Sequence, residues 1–454
     1  MTSPDVGIFP TFPAGFRFGI STSAYQVEGA AAADGRGPCI WDTFAAQSGR
    51  IIDGSSGAVA SDHYHRFAED VALMKRLGTK DYRLSLSWSR IQPTGSGPVN
   101  EQGLAFYDQL IDMLLENGIA PMVTLYHGDL PQALEDDGGW LNRATVDAFA
   151  AYAAIAGERF ADRVEHWIPI NEPNVASFLG YGIGEQAPGR TLMFDSLWVS
   201  HHMLIGHGRA VIELRRHGAK SVGCANNHAP VWPASDADAD VGASKIFDAL
   251  WNGMFLEPML LGRYPADLMP LLEGLAEPGD MATIRQPLDF YGVNYYNPMR
   301  VAAGDEDADM PWEFREVLGY PHTDRGWPVV PDALREWLIM FRARYRAALP
   351  PIVITESGAA YNVEPGPDGV IDDQMRIDYL AVHLRAVQEA VMRGVDVRGY
   401  YCWSLLDAFE WSEGLTQRYG LVHVDFETLE RTPKKSFEWY AALIAAQAPS
   451  AATG

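Results

Sequence analysis

Apolar positions along this chain follow two alternating rhythms. Short apolar runs, rich in β-branched and aromatic residues, occur at 16–21, 81–87, 120–126, 164–170, 221–226, 288–294, 352–355 and 397–402. Their length and composition predict buried strands. Between them the apolar positions fall at helical spacing, which predicts helices over 63–77, 105–116, 144–160, 192–216, 244–261, 332–348, 372–392 and 434–446. Gly78, Gly118, Gly218 and Gly394 follow four of these patterns and Pro433 precedes the last, the expected punctuation of helix ends.

Strands that alternate with helices run parallel. Eight such alternations predict an α/β chain of the (β/α)8 TIM-barrel class, one domain over 1–454 with flexible ends at 1–12 and 447–454. An open doubly wound sheet is the competing architecture, but no Gly-x-Gly-x-x-Gly turn follows the first strand. Gly180-Tyr-Gly-Ile-Gly184 has neither that spacing nor a phosphate-binding lysine and reads as a flexible loop. Asp236-x-Asp238-x-Asp240 begins like a calcium loop. Val241 and Phe247 stand where the glycine and glutamate would be, so 235–240 reads as a solvated acidic loop, as does 304–309. Residues 363–371 read as a further surface loop.

The formal charge of −24 argues against nucleic acid and anionic membranes as partners. Cys39, Cys224 and Cys402 are odd in number and widely spaced, which predicts neither a disulfide framework nor a zinc site. Residues 1–12 lack the pattern of a signal peptide, and no apolar run is long enough to span a bilayer. The expectation is a cytoplasmic protein, with assembly into a homo-oligomer left open.

In a barrel of this kind chemistry collects at the C-terminal ends of the strands. Here those ends are polar and aromatic. In order they supply Gln26 with Glu28, Ser87-Trp88-Ser-Arg90, His127 with Asp129, Asn171 with Glu172, Asn294 with Tyr295 and Tyr296, Glu356, and Trp403 with Asp407, Glu410 and Trp411. Each residue alone has an ordinary structural explanation. Amides, an imidazole, carboxylates and indoles gathered on one rim suit a pyranose: the polar groups bond hydroxyls and the indoles stack on C–H faces. His127 and Asp129 lie close but lack the partners of a metal site, so no metal and no cofactor is predicted.

From Phe16 to Tyr440 the chain resembles the family 1 glycoside hydrolases, retaining β-glucosidases and β-galactosidases. The resemblance is carried by Phe18-Gly-Ile-Ser-Thr-Ser-Ala-Tyr-Gln-Val-Glu-Gly29, Tyr82-Arg-Leu-Ser-Leu-Ser-Trp-Ser-Arg90, Asn171-Glu-Pro173, Gly292-Val-Asn-Tyr-Tyr296, Ile354-Thr-Glu356, Trp403-Ser-Leu-Leu-Asp407, Phe409-Glu-Trp411 and Arg418-Tyr-Gly-Leu-Val-His-Val-Asp425. It implies that Glu172 is the general acid/base and Glu356 the nucleophile, with Arg83 and Tyr296 supporting Glu356. It further implies that Gln26, His127, Asn171, Glu410 and Trp411 bond the sugar, that Trp403 is its stacking floor and Trp327 an aglycone wall. Asn294 and Tyr419 belong to the same rim. A carboxylate at Glu410, where members acting on 6-phosphorylated sugars place a hydroxyl and a cation, implies an unphosphorylated β-glucoside-like substrate.

The chain departs from the family pattern at Gly128, where an indole is usual. The loss either is filled by a neighbouring loop or admits a disaccharide or otherwise modified glycone. Pro169, Ser357 and Ala408 are milder departures from the usual Thr, Asn and Asn. Transglycosylation and non-catalytic sugar binding on the same fold are the rival activities.

Overall fold

The computed structural model describes residues 9–447 except 306, 308 and 309. Eight strands, β1 (Arg17–Ser21), β2 (Asp81–Ser85), β3 (Ala120–Tyr126), β4 (His166–Ile170), β5 (Ser221–Asn227), β6 (Phe290–Asn294), β7 (Ile352–Ser357) and β8 (Val397–Trp403), form a closed barrel. Each corresponds to one predicted run, with bounds agreeing to within two residues. Every neighbouring pair is parallel. The barrel closes where β1 pairs with β8, from Arg17 opposite Gly399 to Ser21 opposite Trp403.

The principal helices are α1 (His63–Leu77), α2 (Glu101–Glu116), α3 (Ala144–Phe160), α4 (Ser196–Arg216), α5 (Met254–Leu261), α6 (Pro331–Tyr345), α7 (Gln374–Met392) and α8 (Lys435–Ala446). Gly78 ends α1 with φ +83°, and its N–H donates to the carbonyls of Met74 and Lys75. Only glycine adopts that backbone without a Cβ clash.

The predicted helix over 244–261 is three pieces: a helix Asp238–Asp248, a π-helical turn Ala249–Gly253, and α5. The wide turn carries Asn252 toward the barrel, where its Nδ2 donates to Ala229 O (2.9 Å) and its Oδ1 meets His228 Nδ1 (2.8 Å). Periodicity could not show this, because one extra residue in a turn leaves the apolar pattern almost intact.

Two stretches expected as loops are partly helical. Residues 176–182 form a second π-helical turn containing Gly180 and Gly182. A Cβ on Gly180 would lie 2.5 Å from Ala187 O, so this glycine serves close backbone approach, not phosphate binding. In the stretch 235–240 a helix begins at Asp238. Asp240 accepts from Ser235 Oγ (2.6 Å) and Ala303 N (2.8 Å). Acidic side chains in a first helical turn complement its dipole. Residues 363–371 do form an exposed loop, and part of 304–309 lies outside the described residues. Of the two predicted flexible ends, 1–8 and 448–454 also lie outside them. Phe9 packs on Trp439 (5.6 Å between centroids) and Phe12 on Phe16 (4.0 Å).

Inside the barrel Met122, Ile168, Ala225, Phe290, Val353 and Tyr401, one from each of β3 to β8, make a separate apolar layer. Toward the C-terminal rim the interior turns polar, with Arg83, Asn294, Thr355 and Glu356 all buried. The larger core fills the space between strands and helices. Beyond the rim, Val231–Pro233, Met299–Ala303 and Trp312–Arg315 form a small three-stranded sheet. Among the described residues no helix is long and apolar enough to cross a membrane.

Candidate active site

A cavity of about 280 Å³ opens at the C-terminal rim. Backbone bonds set its two glutamates in place. Asn171 N donates to Tyr126 O of β3 (2.9 Å) and Glu172 N to Ala225 O of β5 (2.8 Å). The chain then turns: Glu172 has φ +44°, and Pro173 opens a short helix. Across the cavity, Glu356 at the end of β7 accepts Tyr295 N at its backbone oxygen (2.9 Å).

The two carboxyl groups live in different surroundings. Glu356 is buried, with Arg83 Nη1 on Oε1 and the Tyr296 hydroxyl on Oε2 (2.8 Å). Both oxygens therefore accept, the arrangement of an ionised carboxylate. Glu172 sits in the cavity wall, and its Oε1 accepts from Asn294 Nδ2 (2.9 Å) and Asn227 Nδ2 (3.0 Å). Burial first, and the charge of Glu356 second, push its pKa up from 4.5 to about 8, against the opposing pull of the two amides and Arg83.

A polar network surrounds them. Arg83 Nη2 donates to Asn171 Oδ1 (2.6 Å), which also takes Asn294 Nδ2 (3.0 Å). Asn171 Nδ2 lies 3.1 Å from His127 Nε2. Burial, then the Arg83 charge, lowers the His127 pKa well below its ordinary value, so the ring is neutral. A neutral ring that accepts at Nε2 carries its proton on Nδ1, which is buried without a partner and free to meet a ligand oxygen. His127 lies parallel to Trp403 (5.8 Å) and Trp411 (6.1 Å).

Gln26 receives Ser23 Oγ on its amide oxygen (2.6 Å) and donates to Glu410 Oε2 (3.1 Å). Burial raises the Glu410 pKa to about 7, opposed by the Arg325 charge. Trp327, Tyr296 and Tyr419 form the aromatic wall beside Trp403. Thirteen of the fourteen residues singled out in the sequence touch this cavity or bond directly to a residue that does, and Gly128 lines an adjoining space. Among the described residues no group of three or more His, Cys, Asp or Glu side chains is placed to hold a metal.

The family model of glycosyl hydrolase family 1 matches residues 9–449. The chain belongs to glycosyl hydrolase family 1. It is 42% identical over 443 residues to β-glucosidase A of Acetivibrio thermocellus, covering 96% of this chain and 98% of that one. It is 41% identical over 461 residues to a bifunctional β-D-glucosidase/β-D-fucosidase of Bifidobacterium breve, covering 96% and 98%. The structure of the family 1 β-glucosidase from Thermotoga maritima in complex with isofagomine lactam superposes with a TM-score of 0.92 at 39% identity, covering 97% of this chain and all of that one.

As a family 1 enzyme this chain is a glycoside hydrolase, and its cavity includes residues that sequence reading passed over. Asn227 is the last residue of β5, one beyond the predicted run, and it bonds Glu172 directly. Its position was the available signal, since the final residue of every barrel strand faces the rim. Its Oδ1 is held by the Trp251 indole N–H (3.2 Å). Arg325 was also missed. It lines the cavity, lies 4.8 Å from the Trp327 ring centroid and reaches Glu413 Oε1 at 3.6 Å. Trp251 and Trp41 complete the unexpected set.

Gly128 lies beside Trp41. A Cβ at Gly128 would meet only Trp41 Nε1, at 3.8 Å. Trp41 lies at a tilt against Trp411 (4.6 Å between centroids), and both rings line, with Gly128, a space beside the catalytic cavity. Gly128 itself has φ +84°, so any larger residue there strains the backbone. Gly128→Ala is expected to destabilise the fold by about 1–2 kcal/mol, seen as a lower Tm, with KM for a β-glucoside unchanged. A large rise in KM without loss of Tm would mean that the position touches the sugar.

Proposed function

We propose that the protein is a retaining β-glucosidase that removes unphosphorylated, non-reducing terminal sugars through Glu356 as nucleophile and Glu172 as acid/base. The observation that carries this reading is the contrast between the two carboxyl groups: Glu356 held between Arg83 and Tyr296, Glu172 raised to about 8 in the same cavity. Retaining hydrolysis requires two carboxyl groups about 5–5.5 Å apart, one protonated and one ionised.

In the first half-reaction a Glu356 oxygen attacks the anomeric carbon while Glu172 gives its proton to the leaving oxygen. The glycosidic C–O bond breaks, the aglycone alcohol leaves, and the sugar is esterified on Glu356. In the second half Glu172, now a carboxylate, takes a proton from water. The oxygen of that water attacks the anomeric carbon, the ester bond breaks, and the sugar departs with its original β configuration. Asn171, fixed by Arg83 and Asn294, is the amide for the 2-hydroxyl, where contacts strengthen in the transition state by several kcal/mol. Gln26, His127 and Glu410 take the remaining hydroxyls. Trp403 provides the floor, Trp411 an indole N–H and Trp327 the aglycone wall, with Tyr419 packed behind.

The Trp41 ring beside Gly128 favours a plain monosaccharide over a disaccharide glycone. Three unpaired, buried thiols support a reducing, cytoplasmic setting.

A panel of p-nitrophenyl β-glycosides tests the specificity. Glucoside and fucoside are expected to turn over best, with galactoside and xyloside slower and cellobioside slower than glucoside. Glucoside 6-phosphate should be at least roughly a hundredfold slower, because its phosphate would meet the Glu410 carboxyl. Faster turnover of the cellobioside or of the phosphorylated substrate would overturn this specificity.

A further inference from the structure

Four carboxyl groups line the catalytic cavity, Glu172, Glu185, Glu356 and Glu410, and among the described residues a single cation does, Arg325. Arg83, the other cation nearby, is already given to Glu356 and Asn171. Arg325 sits in a tight turn ahead of α6. Gly326 N donates to Thr323 O (2.8 Å), Thr323 N to Trp327 O (2.9 Å), and Asp324 N to Ala360 O (3.1 Å) beyond the end of β7. The Arg325 side chain is 15% exposed, its guanidinium lies over the Trp327 ring, and its Nη1 is buried without an acceptor.

A guanidinium carries five N–H donors and ordinarily grips a carboxylate directly. This one stops short: Nη2 is 3.6 Å from Glu413 Oε1, outside hydrogen-bonding distance. Glu413 shares a turn with Glu410, in which Glu413 N donates to Glu410 O (3.0 Å) and Glu410 N to Gly414 O (2.7 Å). The Arg325 charge is thus held against the turn that carries Glu410. Glu410 meets Gln26 from beyond β1, Glu356 from β7, Glu413 from its own turn, and the hydroxyls of Tyr296 and Tyr419, both kept neutral by burial. Burial opposes a charge on Glu410, and so do Glu356 and Glu413. Arg325 is the largest influence that favours it, ahead of the Gln26 amide.

We propose that Arg325 is a positioning residue for sugar recognition: its charge keeps Glu410 a carboxylate in the neutral range, ready to accept from two sugar hydroxyls at once. The assignment rests on the hydrolytic reading above. A carboxylate accepts at both oxygens, whereas a protonated carboxyl gives up one acceptor and must find a partner for its own proton. Glu172 and Glu410 therefore need opposite states within one cavity, Glu172 protonated and Glu410 ionised. A cation standing against the Glu410 turn is what that division requires.

The test is the pH profile of kcat/KM for p-nitrophenyl β-glucoside between pH 5 and 9, with a melting curve for each variant. In the wild type kcat/KM should rise through about 7 as Glu410 ionises and fall past about 8 as Glu172 loses its proton. Arg325→Met keeps the cover over Trp327 and removes the charge. Its rising limb should move to higher pH, and at pH 6 its kcat/KM should drop roughly tenfold or more, through KM. Arg325→Lys restores the charge and should bring the limb back toward its wild-type position. Glu410→Gln cannot ionise and should lose the limb near pH 7, with or without Arg325→Met. A loss in Arg325→Met that is equal at every pH, or a limb near pH 7 that survives Glu410→Gln, overturns the proposal. Calorimetric titration with methyl β-thioglucoside from pH 6 to 9 keeps the two readings distinguishable. If no β-glucoside is cleaved, the hydrolytic reading fails. The role of Arg325 then stands only if binding tightens through about pH 7 in the wild type and at a higher pH in Arg325→Met.

Discussion

Glu356→Gln is expected to lower kcat for p-nitrophenyl β-glucoside by roughly 10⁴-fold or more, the scale seen when a covalent nucleophile is removed. The amide cannot form the glycosyl ester, yet it keeps the size of the side chain and one acceptor for Arg83. Arg83 is itself buried and loses its charged partner, so some stability is lost with the activity. Circular dichroism and a melting curve separate the two effects. The mechanistic readout comes from Glu356→Ala with added azide. The small anion fits where the carboxylate stood, between Arg83 and Tyr296, and attacks the anomeric carbon from the same face. The product is then an α-glucosyl azide. A folded Glu356→Gln that keeps wild-type turnover would leave the chain a role for this carboxyl other than nucleophile.

Glu172→Gln should depend on the leaving group. Alkyl glucosides, whose alkoxide leaves only with a proton, should lose about 10³-fold or more in kcat/KM. A 2,4-dinitrophenyl glucoside needs no proton at departure and should keep its first step. The pH profile carries the sign. Protonated Glu172 is the active form, and its pKa is raised from 4.5 to about 8, so wild-type kcat/KM should fall as pH rises past about 8. Glu410, raised to about 7, titrates nearby, so the decisive comparison is loss of that limb in Glu172→Gln. The same shift acts on folding. Between pH 4.5 and about 8 the folded chain holds a proton that the unfolded chain has shed, so Glu172 makes stability fall with rising pH across that window. Glu172→Gln should flatten this slope. An unchanged alkaline limb, or equal losses on both substrates, would remove Glu172 from the acid role.

The barrel was legible in the sequence because its signals are local. A strand with helical segments on either side announces itself within seven residues, as at 120–126 and 221–226, and Gly78 marks a helix end by its own backbone preference. Glu172 and Glu356 were legible for the same reason: each stands at the end of a buried apolar run, and a barrel brings all its strand ends to one rim. The 1:1 alternation of strand and helix also settled that these ends face the same way.

What only the tertiary structure decided lies between segments far apart in the chain. Asn227 meets Glu172 across 55 residues, and Trp41 reaches Gly128 from a short helix near the start of the chain. No periodicity encodes either contact. The raised pKa of Glu172 likewise depends on burial and on a second carboxyl 184 positions later in the chain, not on its own neighbours.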